Sequence, residues 1–137
     1  MRGFVALAAL IAASWSASGQ AAPTISGTTP FIFDGNRVYA ELAFVQPDGS
    51  LHKALAYVDM GTPAMSVNQA LLDTLHLGPD HPLTFRVGAM PVTVAAAQVS
   101  PSHGTPQKLG GESVEAILPA GVLQHYQVVL DYARRTL

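Results

Sequence analysis

Apolar and polar residues alternate in residues 31–45, FIFDGNRVYAELAFV. Every second position from 38 to 44 is apolar, and the residues between them include a tyrosine and a glutamate. This period of two predicts a strand with one buried face. Pro-Asp-Gly at 47–49 then predicts a turn, because these residues favour chain reversal between two extended runs. The second run, LHKALAYV at 51–58, is continuously apolar from Ala54 and predicts a strand buried on both faces.

The clearest helical pattern lies in residues 66–78, SVNQALLDTLHLG. Ser66 and Gln69 have the spacing of an N-terminal capping box, and three leucines form an apolar stripe along one face. Gly78 stands where a helix commonly ends in a left-handed residue. The pattern therefore predicts one amphipathic helix directly after the first hairpin.

The rest of the chain predicts short strands between loops that are rich in glycine and proline. We expect a hairpin from 83–87 and 92–99, a polar loop at 100–112, a strand at 114–118, a turn of helix within 119–126 and a strand at 127–133. Six or seven strands with one or two short helices predict an all-β fold that is closed or sandwiched.

The first residues have the pattern of a secretory signal peptide. Arg2 gives the positive start, residues 4–15 form a short apolar core, and residues 17–19 are small. We therefore expect a signal peptide at 1–21, a lead-in segment at 22–30 and an exported protein, periplasmic or secreted. An uncleaved anchor is the alternative, and we expect no other membrane association. The absence of cysteine from the sequence fits a bacterial periplasm or surface better than a small disulfide-stapled module.

Charge and motif spacing exclude several classes of partner. The net charge is -2, and the largest basic cluster is Arg134-Arg135, so we expect no nucleic acid partner. Among the five histidines, His76 and His81 lack the i, i+4 spacing of a helical metal site. The chain has no Gly-x-Ser-x-Gly nucleophile elbow and no phosphate-binding glycine loop. We therefore expect neither a metal nor a cofactor.

Asp59 is the main candidate for chemistry. It ends the buried strand and is followed by Met60, Gly61 and Thr62. A carboxylate in this position is costly unless its charge is satisfied, so it serves either as a turn cap or as a catalytic group. Glycine lets the backbone fold tightly around the carboxylate. Two such carboxylates can share a proton and activate a water molecule. The tetrapeptide alone favours a turn cap.

The surrounding sequence resembles the retropepsin-like family of aspartic peptidases, in the form found in bacterial exported proteins. That family has a hairpin, a strand that ends in Asp-Thr-Gly, a helix, a later Leu-Gly turn and an Asp-Tyr strand followed by basic residues. The matching stretches are LAYVDMGTP at 55–63, NQALLDTLHLG at 68–78 and AILPAGVLQHYQVVLDYARRTL at 116–137.

The resemblance covers residues 31–137 and implies a closed acid-protease β-barrel over that range. It implies that Asp59 is the catalytic aspartate, that Met60, Gly61 and Thr62 form the active-site turn, and that the substrate is a peptide or protein. Because one motif supplies one carboxylate, a dyad requires a homodimer or a second lobe. Leu137 stands where a closing strand would start, so a domain truncated at this end is one interpretation.

Three departures from the family pattern favour a second hypothesis. Met60 replaces a threonine or serine whose hydroxyl braces the two active-site turns. Pro119-Ala120 replaces the Leu-Gly turn. Only about five residues separate the predicted helix from the strand at 83–87, which is too few for the substrate-covering flap hairpin. Residues 85–94 therefore either serve as that flap or there is none. The alternative is therefore a catalytically inactive acid-protease-fold binding or assembly module, or one lobe of a longer two-lobed protein.

Overall fold

A computed structural model describes residues 25–137, so the predicted signal peptide and the first three lead-in residues lie outside it. The strands are β1 (Phe31–Asp34), β2 (Arg37–Val45), β3 (Leu51–Asp59), β4 (Met65–Asn68), β5 (Leu83–Val87), β6 (Met90–Val94), β7 (Val99–Ser102), β8 (Gln107–Leu109) and β9 (Glu112–Pro119). The helices are α1 (Gln69–Thr74) and α2 (Ala120–Leu123), and a short 3-10 turn covers Ala96–Gln98. The predicted all-β class with two short helices is confirmed.

The nine strands form one sheet in the order β6-β5-β2-β3-β9-β4-β7, with β1 beside β2 and β8 beside β9. Within residues 25–137, β6 and β7 end this order and do not pair with each other. The sheet is therefore open, and the predicted closed barrel is not confirmed. One physical reason is that residues 127–133, predicted as a strand, contribute no strand to the sheet.

The β2–β3 hairpin forms as the alternating pattern predicts. The two strands pair antiparallel, with Val45 opposite Leu51 next to the turn. Asp48 stabilises this turn because its Oδ1 accepts bonds from the Ser50 N–H at 2.9 Å and from the Ser50 hydroxyl at 2.6 Å. These bonds to Ser50 lower the pKa of the Asp48 carboxyl. Gly49 takes the left-handed conformation, with a φ of 83°.

The core lies against the sheet face that the alternation of β2 identifies. The even-numbered residues of β2 from 38 to 44 are buried, and β5 and β6 add further apolar side chains. Helix α1 packs its leucines onto the same cluster. The largest fully buried side chains are Tyr39, Leu42, Phe44, Met65, Val67, Leu71, Leu75, Leu83, Phe85, Leu118 and Pro119.

The predicted helix starts later than the capping-box pattern indicates. Ser66 belongs to β4, which pairs with both β7 and β9. Asn68 is the N-cap residue instead, and its Oδ1 accepts a bond from the Ala70 N–H at 3.0 Å. The predicted Ser66–Gln69 capping box is wrong because strand pairing with distant segments outweighs local helix preference.

The C-terminal end of α1 also differs from the prediction. His76 has a φ of 54° and donates its N–H to the Asp73 carbonyl, while the Leu77 N–H donates to the Leu72 carbonyl. This pair of bonds defines a Schellman motif. Its left-handed position is occupied by His76, two residues before the glycine that the sequence suggested.

We expect His76→Gly to raise the free energy of unfolding by about 0.5 to 1 kcal/mol, because glycine has no Cβ to clash in the left-handed conformation. The control is His76→Ala, which removes the imidazole but keeps a Cβ at the same φ. Urea unfolding of both variants separates the two effects. A stabilisation by alanine equal to that by glycine would show that the imidazole, rather than the backbone, is unfavourable.

The polar region predicted as a loop contains two strands. β7 pairs parallel with β4, and β8 pairs antiparallel with β9. The predicted strand at 114–118 is longer, reaching from Glu112 to Pro119, and the helical segment that follows is shorter than expected.

The last residues reverse direction. The predicted strand at 127–133 is therefore wrong, because no strand of the sheet lies there. Asp131 directs this reversal: its carboxylate accepts the Arg134 N–H at 2.9 Å and the Arg134 guanidinium at 3.0 Å. Both bonds lower the pKa of the Asp131 carboxyl, and the bond from the Arg134 backbone N–H has the larger effect. The chain then returns to the lead-in segment, where Thr29 and Leu137 exchange backbone bonds of 3.0 and 2.9 Å.

Candidate functional site

Asp59 is the last residue of β3, a strand in the middle of the sheet. β3 pairs antiparallel with β2 as far as Tyr57 and parallel with β9 as far as Asp59, so it is held on both edges to within two residues of the carboxylate. Ala54, Ala56 and Val58 are buried along the strand, and Asp59 at its end is half-buried opposite Pro119. The continuously apolar run therefore ends in one carboxylate at a position paired with β9, as the sequence predicts for the end of the strand.

The turn after β3 wraps around the Asp59 carboxylate. The Gly61 N–H donates to Asp59 Oδ1 at 2.8 Å, and the Thr62 hydroxyl is 3.5 Å from the Asp59 carbonyl oxygen. A Cβ on Gly61 would lie 3.2 Å from Oδ1, tighter than an ordinary contact, so glycine suits this position. Within residues 25–137, Asp59 Oδ2 has no hydrogen-bond partner. The carboxylate is thus both a turn cap and an available acceptor.

A groove of about 660 Å³ lies beside this turn. Its wall contains the three predicted turn residues, Met60, Gly61 and Thr62, while Asp59 lies directly before them, beside the groove. Met60 is 63% exposed. The other lining residues are Pro63, Gln98, Ala120, Gly121, Leu123, Gln124, Tyr126 and Val128. The lining has apolar, amide and hydroxyl side chains but no carboxylate, so it does not supply a partner for Asp59.

The segment at the start of α2 is the part of the site that sequence reasoning did not single out. Gly121 lies against the turn so closely that a Cβ on it would fall 1.9 Å from the Pro63 carbonyl oxygen. Gly121 stands two residues after Pro119, which is opposite Asp59 in the β3–β9 pairing. The available signal was a glycine two residues after the strand that pairs with β3, next to the Pro119-Ala120 pair that replaces the family's Leu-Gly turn.

The hairpin of residues 85–94 is not placed over Asp59. No residue that lines the groove comes from it. Its apolar side chains face the core, and β5 pairs with β2. The lead-in segment contacts its turn, because a Cβ on Gly88 would fall 2.2 Å from the Thr28 carbonyl oxygen. In this structure the hairpin therefore acts as a sheet edge beneath the lead-in segment, rather than as a flap over the groove.

The metal-ligating residues of the described part of the chain are scattered. Histidine, aspartate and glutamate side chains nowhere come together in groups of three within residues 25–137. In the same range, no helix has the length and apolarity needed to cross a membrane.

Comparison with family models, with curated proteins and with solved structures finds no match for this chain.

Proposed function

We propose that this exported chain supplies one half of an aspartic peptidase site of retropepsin type, with Asp59 as its water-activating group. The observation that carries the proposal is the placement of Asp59. It ends a strand paired on both edges, one of its oxygens is fixed by the Gly61 N–H, and the other has no partner within residues 25–137. Pre-organised carboxylates of this kind can act as general bases.

The proposed chemistry uses two carboxylates that share one proton. The charged one accepts a proton from water as the water oxygen bonds to the peptide carbonyl carbon, and the protonated one donates to the carbonyl oxygen. Collapse of the tetrahedral intermediate breaks the C–N bond, and the leaving amine takes up a proton. The Gly61 N–H would hold Asp59 Oδ1 in place and so direct Oδ2 to the water.

The second carboxylate would come from a second copy of the chain. The groove wall contains no carboxylate, so the carboxylate partner has to be brought in from outside. A two-fold dimer uses the same surface on both copies and would place two Asp59 side chains at one interface. A second lobe in a longer protein would serve the same purpose.

The test is hydrolysis of an unfolded protein substrate as a function of chain concentration. If two copies form the site, the rate per chain should rise with concentration and level off when sedimentation shows that the dimer is complete. A rate per chain that is constant over a range in which the protein remains monomeric would overturn the shared dyad. The substrate is kept above saturation, so that only assembly of the enzyme changes the rate.

A second candidate function rests on Met60. Its side chain lines the groove and is 63% exposed. At this position the resemblance calls for a hydroxyl that braces two turns. Exposed thioethers contact apolar partners and do not form strong hydrogen bonds. A binding or assembly module fits this feature, with Asp59 acting only as a turn cap. It predicts no hydrolysis at any concentration, even where a dimer is present.

A further inference from the structure

Residues 127–130, Gln-Val-Val-Leu, form a segment whose backbone lacks partners. They run without a turn or bend, and none of their N–H or C=O groups makes a hydrogen bond within residues 25–137. Both ends of the segment are held: the Tyr126 N–H donates to the Leu123 carbonyl at 2.9 Å, and the Asp131 N–H donates to the Thr136 carbonyl at 2.8 Å. The segment is therefore fixed, yet its own backbone groups remain available.

This segment also has the composition of a strand. Valine favours extended, half-buried positions, but here Val129 is 62% exposed and Val128 is 36% exposed. An exposed apolar edge with unpaired backbone groups is a template for another strand. Residues 127–130 thus have the sequence of a strand, but no strand within residues 25–137 pairs with them.

Two concave regions adjoin the segment. One is the groove beside the Asp59 turn, and the other is a cavity of about 530 Å³. Tyr126 and Val128 line both of them, so the segment lies along their shared boundary. Side chains of a paired strand alternate in direction, so a strand added here could place apolar side chains in either region. The cavity wall is mostly apolar: it includes Phe85, Val87, Met90, Val92, Leu118, Val122, Leu123 and Val129.

We propose that residues 127–130 bind an extended, uncharged, apolar peptide by strand addition. The charge of the lining supports an uncharged ligand, since Asp131 is its one charged side chain and is already bonded to Arg134. A second copy of the chain fits less well, because two-fold pairing would set each concave region against its own equivalent and fill neither. This inference does not rest on the chemistry proposed for Asp59, although the groove beside the Asp59 turn adjoins the segment.

The test is fluorescence anisotropy with an end-capped octapeptide of alternating leucine and threonine, labelled on a C-terminal lysine. We expect saturable binding to the full chain. The same peptide with N-methyl groups on alternate amides keeps its side chains but loses backbone donors, and should bind at least about tenfold more weakly. Equal binding of the two peptides would overturn strand addition, and so would an absence of binding to either.

Protein variants locate the site. Neighbouring N–H groups of a strand point to opposite sides, so one of the two residues Val128 and Val129 donates outward. Proline at that residue removes the donor and should weaken binding by about tenfold. Val129→Thr keeps the donor and should change affinity by less than about threefold. Asp48→Asn, at the β2–β3 turn and outside the lining of both concave regions, should leave binding unchanged. Loss of a dimer in the proline variants, without competition by the peptide, would overturn the proposal and assign the edge to a second copy.

Discussion

Replacing Asp59 by asparagine is expected to reduce peptide hydrolysis by about 100- to 10,000-fold, the range for removal of a general acid or base. Asparagine keeps the shape of the side chain and one carbonyl oxygen, so the bond from the Gly61 N–H at 2.8 Å can persist. It cannot accept a proton from water at neutral or mildly acidic pH. The measurement is the initial rate of cleavage of an unfolded protein substrate at a saturating concentration of chain.

Asp48→Asn is a matched control for this variant. Asp48 accepts the Ser50 N–H at 2.9 Å, two residues further on, in the same arrangement as Asp59 and Gly61. It lies at the β2–β3 turn, outside the groove wall. We expect Asp48→Asn to hydrolyse at the unaltered rate. If Asp59→Asn retained full activity, or if both variants lost it equally, Asp59 would be a turn cap and the activity would come from elsewhere.

The local patterns of the sequence predict the first half of the fold well. The alternation in β2, the Pro-Asp-Gly turn and the apolar run in β3 are each determined by neighbouring residues, and the structure has all three. The position of Asp59 follows directly, because it is the residue at which the apolar run stops. A short-range signal is sufficient when an element and its partner are joined by a tight turn.

The elements that fail are those whose partners are distant in sequence. Ser66 looks like a helix cap, but it lies in a strand between β7 and β9, more than 30 residues away along the chain. Residues 127–130 look like a strand, but the turn at Asp131 leads the chain back to Thr29. Neither outcome is encoded in a local window, since both depend on which edges the rest of the sheet leaves available.

The close contact at Gly121 is of the same kind, because it depends on a turn some 60 residues earlier. Gly121→Ala is expected to lower the free energy of unfolding by about 3 kcal/mol or more, since the added Cβ would lie 1.9 Å from the Pro63 carbonyl oxygen. The obstacle is backbone, so no side-chain rotation can relieve it. In a domain of this size, the loss corresponds to a drop in melting temperature of roughly 10 °C.

Gly104→Ala is the control, because a Cβ added to Gly104 would meet no atom within 4 Å and the residue has no positive φ. It should unfold within about 0.5 kcal/mol of the unaltered protein in urea. The comparison also bears on the site, because relieving the clash at Gly121 requires Pro63, and with it the turn that holds Asp59, to move away from α2. If Gly121→Ala were as stable as Gly104→Ala, α2 and the Asp59 turn would not be packed together, and the groove between them would have a different shape.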